Sequence, residues 1–358
     1  MLVAFFNGIL ALPIHNHEEN SAAKARLITA LAQGRLIGMT GAGLSFWAGY
    51  PLWTVALRHL ADFTTQVTGD AQRVQDLVTH NQMDLLFCAQ RLGRLVGDTN
   101  FAGFIENEFG PNGKATPNVL LHFALLPLHH ILTLNFDISC EQAHDVVGLP
   151  HRSLSSANRD ELISFFRDLD EPDVVKTIFH LHGRFNEPLP NIVFTEAGYQ
   201  RLYSPAALYL HHFKNLAVSK SLLFAGFGFA DNDVEQMFYQ ATRVVKDQFV
   251  DKPVRYHFAI IGLGSGESPN HDDRAMRQYM TDRYLVDAVF YNVRGDDNPH
   301  AEFEELLKEL IDALHLVLPV IAQPIEYAPE MVRIEDIQRM AALSDRFLER
   351  VDRGLEND

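Results

Sequence analysis

The sequence contains little of what a zinc module, a disulfide scaffold or a nucleic-acid-coating surface requires. It has two cysteines among 358 residues, Cys88 and Cys140, and no CxxC pair, which excludes a zinc ribbon and a disulfide framework. Lys and Arg number 30 against 46 Asp and Glu, for a net charge of -16. Because neutralising phosphates requires clustered cations, direct nucleic-acid binding is not expected.

Long apolar runs are also missing. None approaches the ~18 residues that a membrane-spanning helix needs, so no membrane association is predicted. The N-terminal segment 1–20 is apolar from Met1 to Ile14, but it has neither a basic n-region nor a typical cleavage site. We therefore expect a packed strand or an interface segment there. A chain with free thiols is most naturally cytoplasmic.

The residues that are present predict a folded α/β protein. Hydrophobic residues make up 47% and charged residues 21%, without a long polar tract. Short apolar runs alternate with helical stretches, which is typical of a Rossmann-like parallel sheet with helices on both faces. About six strands are predicted: Arg35 to Met39, His130 to Leu134, Thr177 to Leu181, Ser221 to Ala225, Tyr256 to Ile261 and Ala288 to Val293.

The sheet domain is predicted to cover 21–318, with helical insertions near 52–128 and 151–175. Residues 319–358 are predicted to form a linker and a helix. In that helix, apolar residues at heptad spacing favour a homo-oligomer, although a helix docked on its own domain fits equally. The positions at this spacing are Ile334, Ile337, Ala341, Ser344, Leu348, Val351 and Leu355, of which Ser344 is polar and interrupts the run.

Ligands of open α/β sheets bind at the carboxyl ends of strands. The first strand is followed by Thr40-Gly41-Ala42-Gly43-Leu44-Ser45, where glycines let backbone amides approach a phosphate. A tight strand-to-helix turn would explain the same residues. The segment is not GxGxxG, and it has no Lys for a P-loop.

Polar groups follow two further strands. Asn135 and Asp137 come after the second strand, as hydrogen-bonding groups at the mouth of the sheet or as an Asx turn or cap. His180 and His182 end the third, and strand alternation points them to the same side. A buried structural histidine is the alternative, but His182 stands directly before the turn at Gly183.

A fourth strand ends in a glycine turn with Gly226 and Gly228, followed by Asp231 and Asp233. Either aspartate could hold ribose hydroxyls or cap the next helix.

Other candidate sites are weaker. His122, His129 and His130, and the pair His211 and His212, lie in Leu-rich helical surroundings without HExxH, so no metal is predicted. The segment G-A-G-L-S is not the G-x-S-x-G of a serine hydrolase.

The order GAG-x-S, T-x-N-x-D, H-G and G-x-G resembles the sirtuin family, whose Rossmann-like domain binds NAD. The resemblance extends from Leu36 to Val293 and includes the similar segments Phe46 to Pro51 and Ile192 to Glu196. It implies that Asn135 and His182 are the catalytic pair and that Asp137 contacts the nicotinamide side. The implied NAD-binding residues are Gly41, Ala42, Gly43, Ser45, Asp137, Gly226, Gly228 and Asp231.

The sequence also departs from the deacylases of that family. It lacks their four-cysteine zinc module, and it has G-F-G-F-A-D-N-D in place of their G-T-S turn. That turn resembles the corresponding turn of the bacterial sirtuin-like branch, whose members hydrolyse NAD in anti-phage defence. The resemblance implies a defence partner, such as a HerA-type ATPase or an Argonaute.

The chemistry of such a reaction needs few groups. Cleaving the nicotinamide bond expels a neutral molecule from a pyridinium, so paired carboxylates are unnecessary. Asn135 would hold ribose hydroxyls or water, and His182, with an ordinary pKa near ~6.5, would accept a proton. We expect an NAD hydrolase that forms nicotinamide and ADP-ribose, with NAD as its substrate. The alternatives are an NAD-dependent protein deacylase or ADP-ribosyltransferase, and a non-catalytic module that binds NAD or ADP-ribose.

Overall fold

A single parallel sheet organises the chain. The computed structural model describes residues 16–80, 84–171, 175–204, 207–229, 232–248, 257–264, 273–293 and 301–317. The apolar residues 1–15 and the predicted heptad helix lie outside these ranges. Within the described ranges there are seven strands: β1 (Ile37–Thr40), β2 (His130–Thr133), β3 (His151–Ser155), β4 (Lys176–His180), β5 (Leu222–Ala225), β6 (His257–Gly264) and β7 (Val286–Val293).

The strand order defines where a ligand would bind. The order is β3-β4-β2-β1-β5-β6-β7, and every neighbouring pair is parallel. In the central strand β1, Thr40 lies opposite Thr133 of β2 and Ala225 of β5. Strands β1 to β4 lie on one side of the boundary between β1 and β5, and strands β5 to β7 lie on the other. The crevice at the carboxyl ends of β1 and β5 is therefore the topological switch point of the sheet.

The predicted Rossmann-like α/β class is confirmed, with one strand more than expected. The additional strand, β3, lies in 151–175, where a helical insertion was predicted. Its sequence HRSLS has little apolar character because β3 is an edge strand, in which only Ser155 is fully buried. The rest of the described part of that interval contains one helix, Arg159–Asp168.

Helices cover both faces of the sheet. In the described parts of 52–128 all regular elements are helices. No helix of the described chain is long and apolar enough to cross a bilayer. The described residues form fourteen α-helices: α1 (His17–Ala32), α2 (Ala42–Ser45), α3 (Trp53–Thr68), α4 (Ala71–His80), α5 (Leu85–Val96), α6 (Asp98–Phe109), α7 (Asn118–Leu125), α8 (Ser139–Val146), α9 (Arg159–Asp168), α10 (Glu196–Leu202), α11 (Leu208–Ser219), α12 (Asn232–Gln248), α13 (Asp273–Tyr284) and α14 (Ala301–Val317).

Alternating side chains divide the interior into two cores. Ile131 and Ile178 pack on one face with α1, α3 to α8 and α14. Leu132 and Phe179, the next residues of the same strands, pack on the other face with α9, α11, α12 and α13. Strands buried on both faces are nearly continuous apolar runs, which explains why the central strands were recognisable in the sequence.

Candidate active site

The turns after β1 and β5 press against each other at the switch point. Gly43 N–H donates to Gly226 O at 2.9 Å, and Gly41 N–H donates to Ala225 O at 3.3 Å. A Cβ on Gly41 or Gly43 would lie 2.8 Å from Gly226 O, and one on Gly226, whose φ is +60°, would overlap Leu44 N. These positions require glycine because two backbones meet here.

The amide of Ala42 is available in the first turn. Leu44 N–H donates to Gly41 O at 3.0 Å, so it is used within the turn, as is Gly43 N–H. Ala42 N–H, in the first turn of α2, has no acceptor among the described residues. Of the amides that the sequence assigned to phosphate binding, Ala42 is thus a free donor, and the glycines make the close approach possible.

The second turn is less enclosed. Gly228 is exposed, and no atom lies within 4 Å of where its Cβ would be. Phe229, with φ at 49°, stacks on Tyr284 at a centroid distance of 5.2 Å. Asp231 lies outside the described residues, and its contact with ribose stays a prediction.

Asn135, two residues beyond β2, reaches across to the β1 turn. Its Nδ2 donates to Gly41 O at 3.0 Å and to Ser45 Oγ at 2.7 Å. Its backbone N–H donates to Thr133 Oγ1 at 3.1 Å. Both amide hydrogens are therefore used by the protein, and Oδ1 accepts no hydrogen bond from any described residue. The side chain is 8% exposed, so this oxygen is the acceptor that Asn135 offers to the cleft.

Asp137 is buried within a hydroxyl network. Its Oδ1 accepts from Ser45 Oγ at 3.0 Å and from Ser139 N–H at 3.0 Å, and the two serine hydroxyls are 3.1 Å apart. Burial raises the pKa of Asp137 above its ordinary value, while the bonds from Ser139 and Ser45 oppose that rise. Ser45 is 2% exposed, so its hydroxyl orients Asn135 and Asp137 within the protein.

His182 lies after β4, the neighbour of β2, and its backbone O accepts from Val193 N–H at 2.8 Å. The ring is 3% exposed, and Nε2 lies 2.7 Å from Tyr203 Oη. The Tyr199 ring contacts the imidazole edge to face at 5.1 Å. Gly183, at φ +84°, follows directly, where a Cβ would lie 2.5 Å from Asn191 O. The tight turn and two tyrosines thus fix the position of this imidazole.

His180 has different partners. Its Nδ1 lies 3.0 Å from Asn135 O, its Nε2 lies 2.6 Å from Glu141 Oε1, and the ring has no exposed surface. Burial alone would lower the pKa of His180, but the Glu141 carboxylate raises it above the ordinary value. Burial pushes the pKa of Glu141 upward, and the His180 charge holds it below its ordinary value. The two side chains form a buried ion pair beneath the Asn135 loop.

Aromatic rings support that loop from the other side. Phe136, between the two polar residues, packs against Phe109 at 5.0 Å and Phe194 at 5.6 Å. Phe194 belongs to the segment that resembles a sirtuin V-x-F-x-E sequence, and it also contacts Trp53 at 4.3 Å. The segment serves as a packing element that joins the helical insertion to the site.

The histidine clusters do not assemble into a metal site. Within the described ranges, no group of three His, Cys, Asp or Glu side chains is arranged to hold an ion. His130 accepts Thr177 N–H, His129 bonds to Leu169 O, and His212 stacks on Phe166. Packing and backbone bonding account for these side chains.

Sequence reasoning missed Glu141 and Tyr203. Both contact a predicted site histidine, yet neither belongs to a motif. Glu141 lies in the first turn of α8 and Tyr203 lies 21 residues beyond His182. The acidic residue soon after N-F-D was the one available signal. Among the described residues, the carboxyl end of the sheet thus presents three groups: Asn135 Oδ1 and Ala42 N–H, each without a hydrogen-bond partner, and the imidazole of His182, fixed by its neighbours.

Comparison with known proteins finds a matching domain model and a relative of this chain. Residues 129–284 match the model of a SIR2-like domain, a region that contains Asn135 and His182. The chain is 24% identical over 229 residues to the NAD(+) hydrolase ThsA of Enterococcus faecium. That alignment covers 62% of this chain and 43% of the relative, so the chain spans less than half of its relative's length. The predicted sirtuin resemblance is confirmed.

Proposed function

We propose that this chain, which carries a SIR2-like domain, hydrolyses NAD at the nicotinamide–ribose bond and releases nicotinamide and ADP-ribose. One observation carries the proposal: Asn135 and His182 follow adjacent strands beside the two glycine turns of the switch point. The name of the relative from Enterococcus faecium supports the same substrate. As an NAD-depleting enzyme, the protein would act in anti-phage defence.

The glycine turns would receive the phosphates of NAD. Ala42 N–H is a free donor beside a backbone that Gly41, Gly43 and Gly226 keep bare of side chains. Exposed Gly228 would extend this surface, and Asp231 would bind ribose hydroxyls. A pyrophosphate seated here would direct the nicotinamide ribose toward Asn135.

Asn135 would act as a hydrogen-bond acceptor. Since Ser45 and Gly41 take both Nδ2 hydrogens, Oδ1 is the atom that can receive a ribose hydroxyl or the attacking water. In the reaction the C1′–N bond breaks and its electron pair neutralises the pyridinium nitrogen. The water oxygen bonds to C1′, and its proton leaves toward His182.

His182 would accept that proton at Nε2. In the free protein Tyr203 Oη lies 2.7 Å from this nitrogen, so a proton reaches the ring through the Tyr203 hydroxyl or after that side chain moves. The low exposure of the imidazole keeps bulk water away from the reacting centre.

The test is incubation of the purified full chain with NAD, followed by chromatography of the products. Equal amounts of nicotinamide and ADP-ribose without an acceptor support the proposal. Release of nicotinamide only with an acylated peptide or a protein acceptor indicates a deacylase or a transferase. Tight NAD binding without cleavage, with the candidate defence partners supplied, indicates a regulatory module and contradicts the proposal. Since an unregulated NAD hydrolase would kill its host, we expect the isolated chain to need activation.

A further inference from the structure

We infer that His180, held by Glu141, is a positioning residue for Asn135: its charged imidazole fixes the backbone from which the Asn135 amide oxygen faces the substrate. The inference rests on the proposed function, because it concerns the same site. His180 would not touch NAD.

The hydrogen bonds determine the charge of the ring. Asn135 O can only accept, so Nδ1 must carry a hydrogen. Glu141 Oε1 receives the Ser153 hydroxyl at 2.7 Å, because Ser153 Oγ itself accepts from Arg184 at 3.2 Å. Burial raises the pKa of Glu141 and the charge of His180 lowers it to below its ordinary value, so Oε1 belongs to a carboxylate and accepts Nε2–H as well. Both ring nitrogens are therefore donors, and His180 is an imidazolium.

The surroundings are arranged to maintain that cation. His180 has no exposed surface, and a buried imidazolium requires a paired anion. Glu141 supplies the anion from the first turn of α8, where the helix dipole favours negative charge. The edge strand β3 contributes Ser153 to the same carboxylate. Helix α8 and strand β3 thus both contribute to the carboxylate that pairs with His180, whose other ring nitrogen bonds to Asn135 O.

Asn135 is held at three points. Thr133 binds its N–H, Gly41 and Ser45 bind its side chain, and His180 binds its carbonyl. The bonds from Thr133 and the β1 turn do not restrain rotation of the peptide that follows Asn135, whereas the His180 bond does. Loss of that bond would displace Oδ1, and a shift of ~1 Å at a reacting group reduces rate by about 10²-fold.

Two variants separate the two bonds of His180. In His180→Asn the amide nitrogen lies near the Nδ1 position and can still donate to Asn135 O, whereas in His180→Gln it lies near the Nε2 position and can donate only to Glu141. We expect kcat to fall by about 10²-fold in His180→Gln and by less than about tenfold in His180→Asn, with KM changed by less than about threefold in both.

A merely structural role gives another result. It predicts that activity follows the folded fraction, whichever bond is kept, so equal kcat values or a more active His180→Gln would overturn the inference. His130→Gln is the matched control, since His130 is also a fully buried strand histidine bonded to a backbone group, at the other end of the sheet. It should lower stability and leave kcat per folded molecule unchanged.

A spectroscopic readout covers the case in which His180→Gln fails to fold. In ¹⁵N-histidine-labelled chain, we expect one buried ring with hydrogens on both nitrogens, absent in His180→Asn and changed to a neutral ring in Glu141→Gln. A neutral His180 in the wild-type chain overturns the inference. If the activated wild-type chain releases no nicotinamide, the proposed function fails and the inference falls with it. If the activated wild-type chain releases nicotinamide and the two His180 variants have equal kcat values, the inference alone fails.

Discussion

The two ends of the sheet use buried histidine in opposite ways. At the carboxyl end, His180 donates from both ring nitrogens and is held charged by Glu141. At the amino end, His130 accepts Thr177 N–H at 3.1 Å and His257 accepts Leu222 N–H at 3.2 Å. Burial lowers the pKa of His130 to about 4 and that of His257 to about 3. The nearest partner, and not burial itself, decides which form is present.

The contrast also separates two structural roles. Neutral histidines at the amino end join the start of one strand to its neighbour, which is a contribution to folding. The charged histidine at the carboxyl end holds a loop whose side chain faces the cleft. Variants at the two ends should therefore differ in whether they change activity or stability.

The largest effect is expected at the carboxyl end. Asn135→Ala and His182→Ala should each reduce NAD cleavage by about 10²- to 10⁴-fold, because they remove the proposed acceptor and the proposed base. The chain should still fold, since neither residue belongs to the apolar cores, although Asn135→Ala also removes the hydrogen bonds to Gly41 O and Ser45 Oγ. Product formation in an activated state is the measurement. Near wild-type turnover of His182→Ala would show that the base has been assigned to the wrong residue.

The next effect concerns stability at the same end. Glu141→Leu leaves the His180 cation without its anion, which should lower the free energy of unfolding by about 3–5 kcal/mol. Urea denaturation measures it, with His130→Gln for comparison. The double variant Glu141→Leu with His180→Leu should recover much of the loss, since no buried charge remains. An equal loss in the single and double variants would argue against an ion pair.

A smaller effect distinguishes the ends by pH. Because the pKa of His130 is depressed, its contribution to the free energy of unfolding is present above pH ~6.5 and is lost as pH falls toward about 4. Over that range the unfolded chain takes up a proton that the folded chain does not. Each such group gives a slope of up to about 1.4 kcal/mol per pH unit. We therefore measure the free energy of unfolding in urea at a series of pH values. His130→Gln should reduce its dependence on pH by the slope of one such group.

The raised pKa of His180 has the opposite sign. The contribution of His180 to the free energy of unfolding is present below pH ~6.5 and is lost as pH rises through the pKa of His180 in the folded chain. If His180→Gln and His130→Gln change the pH dependence in the same direction, the contrast between the two ends is wrong.

The smallest effect is expected at the tyrosine that contacts His182. Tyr203→Phe removes the hydroxyl that lies at His182 Nε2, so we expect a change in kcat of about three- to tenfold, the range of one hydrogen bond. Tyr199→Phe is the matched control, since its ring contacts the same imidazole and the loss of its hydroxyl leaves that contact intact. Equal effects of the two variants would assign both tyrosines to packing alone.

The sequence was informative where burial dictates residue type. The central strands were found because both faces are buried, and N-F-D and H-G were placed at strand ends because the strands stop there. The edge strand β3 was missed because HRSLS is polar, and Glu141 and Tyr203 were missed because their partners are distant in sequence. The role of His180 could not be distinguished from that of His182, since alternation says nothing about which anion lies nearby.

The pairing of β1 with β5 has a consequence for biosynthesis. Ile37 lies opposite Leu222, and such non-local pairing of residues about 185 positions apart delays folding. At ribosomal rates of about 5–20 residues per second, the first glycine turn waits roughly 9–40 s for the second to be translated. A nascent chain released early would lack Gly226 and half of the switch point. Prematurely terminated translation products of the proposed NAD hydrolase would therefore be inert toward the host's own dinucleotide pool.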